Sequence, residues 1–387
     1  MNIAVVSDSI YPYNKGGKEK RLFEITKRLS SYGHRVTIYT MKWWPGPDQI
    51  DENGVKLISV GKLKKLYTKE RRRSLTEALF FGRRVVLPLW KTKYDLLITD
   101  HIPYLHLFSL KIVCILQKKL LLADWLEVWG RKHWLEYLGF FKGNLAFIIE
   151  WLATKIPDKI ISISDFTTNR LIRNFKVPKN KILTFPCGIE FDDINQAESM
   201  GDRQSDCIFV GRLLKHKNVD IIIKAIKYAA NNGLPEIQCI IIGDGPEKPF
   251  LEKLTNELNL QKNIRFLGFL AEHRDVYSFM KSSKVFVFPS QREGFGIVVL
   301  EANACGLPVL AVKSDFSASA DLISEDLNGY LLESSPQTIG ASIMELLCHP
   351  DKLKSLSGTS IALAKNYSWD IIVKKMENCY KDILAQQ

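Results

Sequence analysis

Residues 284–312 read KVFVFPSQREGFGIVVLEANACGLPVLAV, and this stretch decides the fold. Residues 284–288 alternate β-branched and aromatic side chains, which predicts a buried strand. After a polar loop, helical periodicity covers residues 295–304, and a Gly-Leu-Pro stop signal precedes a second predicted strand at residues 309–312. The order strand, loop, helix, strand predicts a βαβ unit. Its loop is therefore expected at the carboxyl edge of a parallel sheet, where open α/β sheets bind ligands.

Two carboxylates lie in this unit, Glu293 on the loop and Glu301 eight residues later, about two helical turns down the chain. Most carboxylates are solvent-exposed surface charges. However, the helix around Glu301 is apolar on nearly every face, and a buried carboxylate without a partner is costly. The glycines of the loop also let backbone amides approach an anion at the helix N-terminus. Hydroxyl-binding carboxylates beside an anion site favour a ligand such as a nucleotide sugar.

The pattern E-x7-E inside PSQREGFGIVVLEANACGLPVLA resembles the signature of the retaining GT-B glycosyltransferases of family 4. The resemblance implies an α/β fold with two Rossmann-like domains whose parallel sheets face each other across a cleft. Residues 1–190 would form the acceptor domain and residues 207–367 the nucleotide-sugar domain. A terminal helix at residues 368–387 would pack back on the first domain. Residues 191–206 are polar and lack apolar periodicity, so we expect the interdomain linker there.

The length and composition agree with a globular protein of two domains. The chain has 387 residues, of which 46% are hydrophobic and 25% charged. Its seven cysteines are odd in number and form no CxxC pair, so reduced thiols are expected rather than disulfides or a zinc site. The first strand begins at once, which leaves no room for a signal peptide, and lysines interrupt the longest apolar run at residues 105–122. A cytoplasmic protein is expected.

The net charge of +12 is concentrated in residues 62–93, where eleven Lys or Arg residues face only Glu70 and Glu77. Leucines and phenylalanines are interleaved with these charges. One interpretation is a solvated amphipathic helix. A sharper one is a patch that holds the protein at the anionic inner face of the cell membrane. Nucleic-acid binding is not expected, because no recognised motif accompanies the charge.

Several further residues are candidates for binding the donor. Gly16 and Gly17 precede a predicted helix, although such pairs more often make turns. Arg212 and Lys217 flank a strand-to-helix turn, where they are either surface cations or ligands of a diphosphate. The resemblance favours the second interpretation and implies a donor site made of Gly16, Gly17, Arg212, Lys217, Gly243, Leu270, Glu293, Phe295, Gly296, Ile297 and Glu301.

The first domain supplies the remaining candidates. His101 follows the predicted strand 95–99; a lone histidine is more often structural, but the resemblance implies a contact with the donor sugar. Asp124, Trp125 and Glu127 combine aromatic rings with carboxylates, which either hold a sugar acceptor or serve packing. The resemblance implies a catalytic set of His101, Arg212, Lys217 and Glu293. The loop at residues 314–323 departs from the family by lacking its usual glycine pair.

The implied reaction is the retaining transfer of a hexosyl group from a nucleoside diphosphate sugar to an acceptor, with a lipid-linked or other cell-envelope saccharide as the leading hypothesis. No cofactor is expected. No divalent metal is expected either, because the chain contains no Asp-x-Asp motif. The alternatives are a nucleotide-sugar 2-epimerase of the same fold and a non-catalytic nucleotide-sugar binder. A Rossmann oxidoreductase is disfavoured, since no G-x-G-x-x-G follows the first strand.

Overall fold

The computed structural model describes residues 1–14, 16–62, 74–201 and 205–386. The chain forms two compact units. Unit 1 consists of Met1–Pro186 together with Asp370–Gln387, and unit 2 consists of Cys187–Trp369. The division between the units therefore falls a few residues before the expected end of the first domain at residue 190. The C-terminal helix belongs to unit 1.

Unit 1 is built on an eight-stranded sheet in the order β3-β4-β2-β1-β5-β6-β7-β8. All neighbouring strands are parallel except β3, which runs antiparallel to β4. The strands are β1 Asn2–Val6, β2 Arg35–Lys42, β3 Gln49–Glu52, β4 Val55–Lys62, β5 Leu96–Asp100, β6 Leu120–Trp125, β7 Lys159–Ser162 and β8 Ile182–Thr184.

Helices cover both faces of this sheet, which is why β5 is buried at every position and its sequence is nearly continuous in apolar residues. The helices are α1 Gly17–Ser31, α2 Leu75–Arg84, α3 Val86–Trp90, α4 Leu105–Gln117, α5 Gly130–Leu138, α6 Phe140–Ala153, α7 Asp165–Phe175 and α15 Trp369–Ala385. The chain moves from β1 outward to β2 and then returns to β5 on the other side of β1. Ligands of open sheets bind at such a reversal of strand order.

The terminal helix α15 is fixed to unit 1 by buried and ionic contacts. His34 Nε2 lies 2.9 Å from Glu377 Oε1, and Arg28 Nε donates a hydrogen bond to Asp370 Oδ1 at 2.7 Å. Tyr380 is completely buried. These contacts join α15 to α1 and to the turn that precedes β2.

Unit 2 contains a six-stranded, all-parallel sheet in the order β11-β10-β9-β12-β13-β14. Its reversal of strand order lies between β9 and β12. The strands are β9 Cys207–Val210, β10 Cys239–Ile242, β11 Ile264–Gly268, β12 Val285–Phe288, β13 Val309–Val312 and β14 Gly329–Leu332. The helices are α8 Phe191–Gln196, α9 Val219–Asn231, α10 Lys248–Glu257, α11 His273–Lys281, α12 Ile297–Ala304, α13 Pro336–Cys348 and α14 Pro350–Lys365.

The segment expected to be a linker, residues 191–206, instead begins with α8 and lies in unit 2. Ile194 is completely buried there, and Lys281 Nζ donates hydrogen bonds to the carbonyls of Asn195 and Ala197 at 2.8 and 2.7 Å. Helix α8 has only 6 residues, too few to show apolar periodicity, so the polar sequence did not predict it. Residues 202–204 of this segment lie outside the described residues.

Gly329 begins the last strand of unit 2, and its backbone lies so close to β13 that a Cβ atom would stand 2.0 Å from the carbonyl oxygen of Val309. We expect Gly329→Ala to push the two strands apart and to lower the free energy of unfolding by about 1–3 kcal/mol. The control is Gly358→Ala on α14, where a Cβ meets nothing within 4 Å and alanine is the better helix former. Calorimetry should show a lower melting temperature for the first variant only; equal values would contradict the expected clash.

Candidate active site

The centre of the site in unit 2 is an ion pair between Lys217 and Glu293. Lys217 ends a 3-10 turn after β9, Glu293 follows β12, and these two strands flank the reversal of strand order. The Lys217 ammonium group donates to Glu293 Oε1, and each side chain is only 14% exposed. Lys217 Nζ also lies 5.5 Å from the ring centroid of Phe288. The fold therefore brings together the cation and the carboxylate that the sequence predicted for one site.

Backbone hydrogen bonds hold the loop that carries Glu293. The Glu293 N–H donates to the carbonyl of Phe316 at 3.3 Å, and the Ala318 N–H donates to the carbonyl of Glu293 at 2.9 Å. On the other side, the Gln291 N–H donates to the carbonyl of His216 at 3.0 Å. The carboxylate is thus presented by a loop tied to two neighbouring segments.

Gly296 forms the start of α12 and is a glycine for two physical reasons. Its φ of +90° lies in the left-handed region, and a Cβ would stand 3.1 Å from the Cβ of Ser319. Ser319 belongs to the loop that lacks the family's glycine pair, and its hydroxyl pairs with that of Ser317 at 2.7 Å. Phe295 is buried, so it can meet a ligand only through its backbone, whereas Ile297 is partly exposed.

Glu301 lies on α12 and accepts a hydrogen bond from the Tyr277 hydroxyl at 3.3 Å. Burial, and then the nearby Glu301, raise the pKa of Tyr277 far above its ordinary value, so this phenol remains a donor. Burial and Glu301 also raise the pKa of Cys305, one turn further along the helix. Tyr277 was not predicted, because nothing in the sequence relates it to a carboxylate 24 residues away.

The remaining residues predicted in unit 2 lie at the same carboxyl edge of the sheet. Gly243 has a φ of +138°, and a Cβ there would stand 1.9 Å from the carbonyl oxygen of Gly211, so packing alone accounts for this glycine. Arg212 is exposed and makes no ion pair within the described part of the chain. Leu270, two residues beyond β11, is half-buried.

In unit 1 a second polar cluster occupies the reversal between β1 and β5. Lys18 Nζ lies 2.8 Å from Asp8 Oδ1 and 3.0 Å from Asp100 Oδ2, and the Ser7 hydroxyl donates to Asp100 at 2.5 Å. Burial alone would raise the pKa of Asp100, but Lys18 and then His106 hold it below its ordinary value. The sequence offered no signal for this cluster beyond the adjacent glycines.

Gly16 and Gly17 precede Lys18 at the start of α1. Gly16 is the residue before the helix, and both glycines are exposed. A Cβ on Gly17 would meet nothing within 4 Å, and one on Gly16 would meet only the flexible side chain of Glu19. Neither glycine is required by the packing of unit 1, so the predicted donor contact stays a prediction.

His101 is buried at the end of β5 and stacks on the ring of Trp125, with centroids 4.7 Å apart. Burial lowers its pKa to about 4, so the imidazole is neutral near neutral pH. Nδ1 lies 3.0 Å from the carbonyl oxygen of Asp124, which can only accept, so Nδ1 carries the proton. Nε2 makes no hydrogen bond to the described residues and is therefore set to accept one.

Two of the three predicted acceptor residues have structural partners instead. Trp125 is the last residue of β6 and is completely buried beneath the ring of His101. The Asp124 carboxylate accepts hydrogen bonds from Arg21 Nε and Nη2 at 2.8 and 3.2 Å. These placements argue against acceptor contacts by Asp124 and Trp125. Glu127 is half-buried, and its predicted role stays a prediction.

Comparison with known proteins identifies the family. Residues 15–193 match the family model Glycosyltransferase Family 4, and residues 190–360 match the model Glycosyl transferases group 1. The chain is a family 4 glycosyltransferase. An uncharacterized glycosyltransferase of Methanocaldococcus jannaschii is 26% identical to this glycosyltransferase over 98% of both chains.

Two further comparisons place the glycosyltransferase among known proteins. An Escherichia coli UDP-Gal:alpha-D-GlcNAc-diphosphoundecaprenol alpha-1,3-galactosyltransferase is 28% identical over 49% of this chain and 52% of its own. The structure of sucrose-phosphate synthase from Thermosynechococcus elongatus superposes with a TM-score of 0.80 over 100% of both chains at 20% identity. That likeness shows the GT-B fold.

Neither a metal site nor a membrane span is found in the described ranges. No group of three or more His, Cys, Asp or Glu side chains there is arranged to hold a metal ion. No described helix is long and apolar enough to cross a membrane.

The placement of His101 predicts how it responds to pH. Lowering the pH should leave its imidazole neutral, with the proton on Nδ1, until the pH approaches about 4. In the unfolded chain the imidazole takes up a second proton near pH 6.5, whereas in the folded chain it does so only near pH 4. The contribution of the neutral His101 to the free energy of unfolding is therefore complete above about pH 6.5 and is lost as the pH falls toward 4. Long-range ¹H–¹⁵N NMR measures both the tautomer and the titration. A midpoint near that of free histidine would contradict the burial of this ring.

Proposed function

We propose that this glycosyltransferase moves a hexosyl group from a nucleoside diphosphate sugar to a saccharide acceptor with retention at the anomeric carbon. The observation that carries the proposal is the Lys217–Glu293 pair, which lies at the strand reversal of unit 2 beside the start of α12. A cation, a carboxylate and helix N-terminal amides match the phosphates and hydroxyls of such a donor.

Each group of the site has a role in this proposal. Arg212 and Lys217 neutralise the charge that builds on the departing diphosphate, the electrostatic effect that usually dominates catalysis. The incoming phosphates replace Glu293 as the partner of Lys217, and the released carboxylate binds hydroxyls of the sugar. Backbone N–H groups at residues 295–297 assist it. Glu301, oriented by Tyr277, accepts hydrogen bonds from the ribose hydroxyls.

The bond changes follow from these roles. The bond between the anomeric carbon and the phosphate oxygen breaks, the acceptor oxygen bonds to the same face of that carbon, and the acceptor proton passes to a leaving phosphate oxygen. The products are the glycoside and the nucleoside diphosphate. Glu293 is not assigned as a covalent nucleophile, since its ion pair with Lys217 favours a binding role. In unit 1, His101 Nε2 has no hydrogen-bond partner among the described residues, which leaves it able to accept a hydrogen bond from a hydroxyl group.

For the acceptor we propose a lipid-linked or other cell-envelope saccharide. The Escherichia coli relative, by its name, uses UDP-galactose and a GlcNAc carried on diphosphoundecaprenol. A membrane-borne acceptor accords with peripheral association of a cytoplasmic enzyme with anionic lipid through residues 62–93. Arg83, Arg84 and Lys91 of this stretch are exposed, whereas residues 63–73 lie outside the described residues.

Donor binding is tested with a thermal-shift panel of nucleotide sugars and free nucleotides. A donor that binds only the native state must raise the melting temperature of the wild type. We expect Glu301→Ala and Lys217→Ala to weaken binding at least about tenfold, because each leaves polar groups of the ligand unpaired. Exposed residues elsewhere in unit 2 provide the matched controls Glu252→Ala and Lys354→Ala, which should keep the full shift.

The same samples separate the alternative functions. Product formed from the donor alone would indicate an epimerase, whereas product formed only with a saccharide acceptor supports transfer. A donor that binds without any turnover would indicate a binding protein. A shift that persists in both site variants would contradict the proposed donor site.

Metal independence is a separate proposal. We expect glycosyl transfer to continue undiminished after dialysis against EDTA, since Arg212 and Lys217 supply the positive charge that a divalent ion provides in other transferases. The measurement is the initial rate before and after chelation. A loss of activity that added Mg²⁺ or Mn²⁺ restores would show that the two cations are not sufficient.

A further inference from the structure

Four helices of unit 1 form a continuous layer on one face of its sheet. The chain moves in the same direction along the sheet from β4 to β5, from β5 to β6 and from β6 to β7. Right-handed crossovers therefore place α2, α3, α4 and α6 on the same face, together with α5, which packs against α6. Helix α4 packs against α2 and α3 on one side and against α6 on the other.

This layer exposes an unusual amount of apolar side chain. Of the 21 large hydrophobic residues that are exposed in the described part of the chain, thirteen lie on these four helices. Phe141 is 86% exposed, and Ile112 and Ile115 are 60% and 62% exposed. Monomeric soluble proteins rarely leave large contiguous apolar patches uncovered.

The apolar residues form stripes along the helices. On α6 the exposed residues Phe141, Leu145, Ile148 and Leu152 follow one another at intervals of four, three and four positions, so they share one face. On α4 the exposed Ile112 is followed by Ile115 and Leu116 at the same spacing. Both helices thus turn one apolar face to the sheet and a second one outward.

The exposed charge on these four helices is of one sign, whereas α5 and α7 on the same face carry the exposed acids Glu136 and Asp165 beside the exposed Arg131 and Lys132. The four helices contain two acidic residues, Glu77 and Glu150, and both are completely buried. The Glu150 carboxylate accepts hydrogen bonds from the N–H groups of Trp129 and Gly130 at 2.8 and 3.0 Å. The exposed charges on or directly after these helices are cationic, namely Arg83, Arg84, Lys91, Lys118, Lys142 and Lys155.

We propose that this apolar–basic surface, the exposed side chains of α2, α3, α4 and α6, binds an anionic lipid bilayer. The apolar stripes enter the boundary between headgroups and acyl chains, and the cations contact anionic headgroups. A surface rich in exposed apolar and cationic groups and without exposed carboxylates complements such a bilayer. The surface includes α2 and α3 from the basic stretch and adds α4 and α6, which the charge pattern of the sequence did not indicate.

The inference extends the membrane association proposed above, but it does not depend on the reaction. Vesicle binding is measured with the full chain and without any substrate. If the protein does not bind lipid, the proposed glycosyl transfer is unaffected. If it does not bind a donor, the proposed lipid-binding surface is unaffected.

The test is co-sedimentation with vesicles of phosphatidylcholine alone and of phosphatidylcholine mixed with phosphatidylglycerol. We expect the wild type to bind the anionic vesicles more strongly and to be released by salt. The double variant Ile115→Ser/Phe141→Ser should lower the partition coefficient about tenfold or more. Lys142→Glu should lower it at least about fivefold. Both changes affect exposed side chains, so circular dichroism should show unchanged folding.

Matched controls come from unit 2. Phe250→Ser on α10 removes an aromatic ring that is 52% exposed, and Lys354→Glu reverses an exposed charge on α14. Both should bind vesicles as the wild type does. No sedimentation with anionic vesicles, or equal losses in the controls, would overturn the proposal. So would a dimer in analytical ultracentrifugation that only the double variant dissociates, because the surface would then bind a second copy of the chain.

Discussion

The site of unit 2 depends on one ion pair, that of Lys217 with Glu293. Removing both charges from water is costly, and the fold compensates by placing each as the other's partner at the strand reversal between β9 and β12. The Lys217 ammonium group also lies against the ring of Phe288, a site that attracts cations. A polyanion that reaches this edge can take over the ammonium group, and the exchange sets the carboxylate free for hydroxyl groups. In the proposed reaction, the contact that pairs Lys217 therefore also holds Glu293 in place for the hydroxyl groups of a donor.

Unit 1 uses the same physical solution with different residues. Lys18, at the start of α1, forms ion pairs with both Asp8 and Asp100 where β1 and β5 end. In both units a lysine near the start of a helix pairs with carboxylates at the reversal of strand order: Lys18 lies in the first turn of α1, and Lys217 lies two residues before α9. His101 follows Asp100 directly, yet burial against Trp125 keeps it neutral. A charged cluster and a neutral hydrogen-bond acceptor therefore lie side by side. Lys18 favours the ionised form of Asp100, whereas burial favours the neutral form of His101.

The sequence predicted the βαβ unit around Glu293 and the strand at residues 309–312, because periodicity is a local property. The proximity of Lys217 to Glu293, which are 76 residues apart, was implied only by the family resemblance. It did not predict the partnership of Tyr277 with Glu301, which depends on how α11 packs beside α12. The sequence left open whether Trp125 serves packing or binds an acceptor, because burial of its ring against His101 is a tertiary contact. Helix α8 was missed because its stability comes from Lys281 and from burial of Ile194, both of them tertiary contacts. Prediction from the sequence therefore failed mainly where tertiary contacts determine the structure.

The apolar–basic surface is a further feature that the sequence alone did not reveal in full. Residues 105–122 form the longest apolar run of the sequence, and much of it is buried in α4 and β6. A helix that covers a sheet needs apolar residues on one side only, however, so an apolar outer side is not required by the fold of unit 1. Burial of Glu77 and Glu150 costs desolvation energy that an exposed position would have avoided. Hydrogen bonds from the N–H groups of Trp129 and Gly130 give the buried Glu150 a role in the fold, whereas the core does not need the outer apolar residues, and the proposed contact with an anionic bilayer covers them.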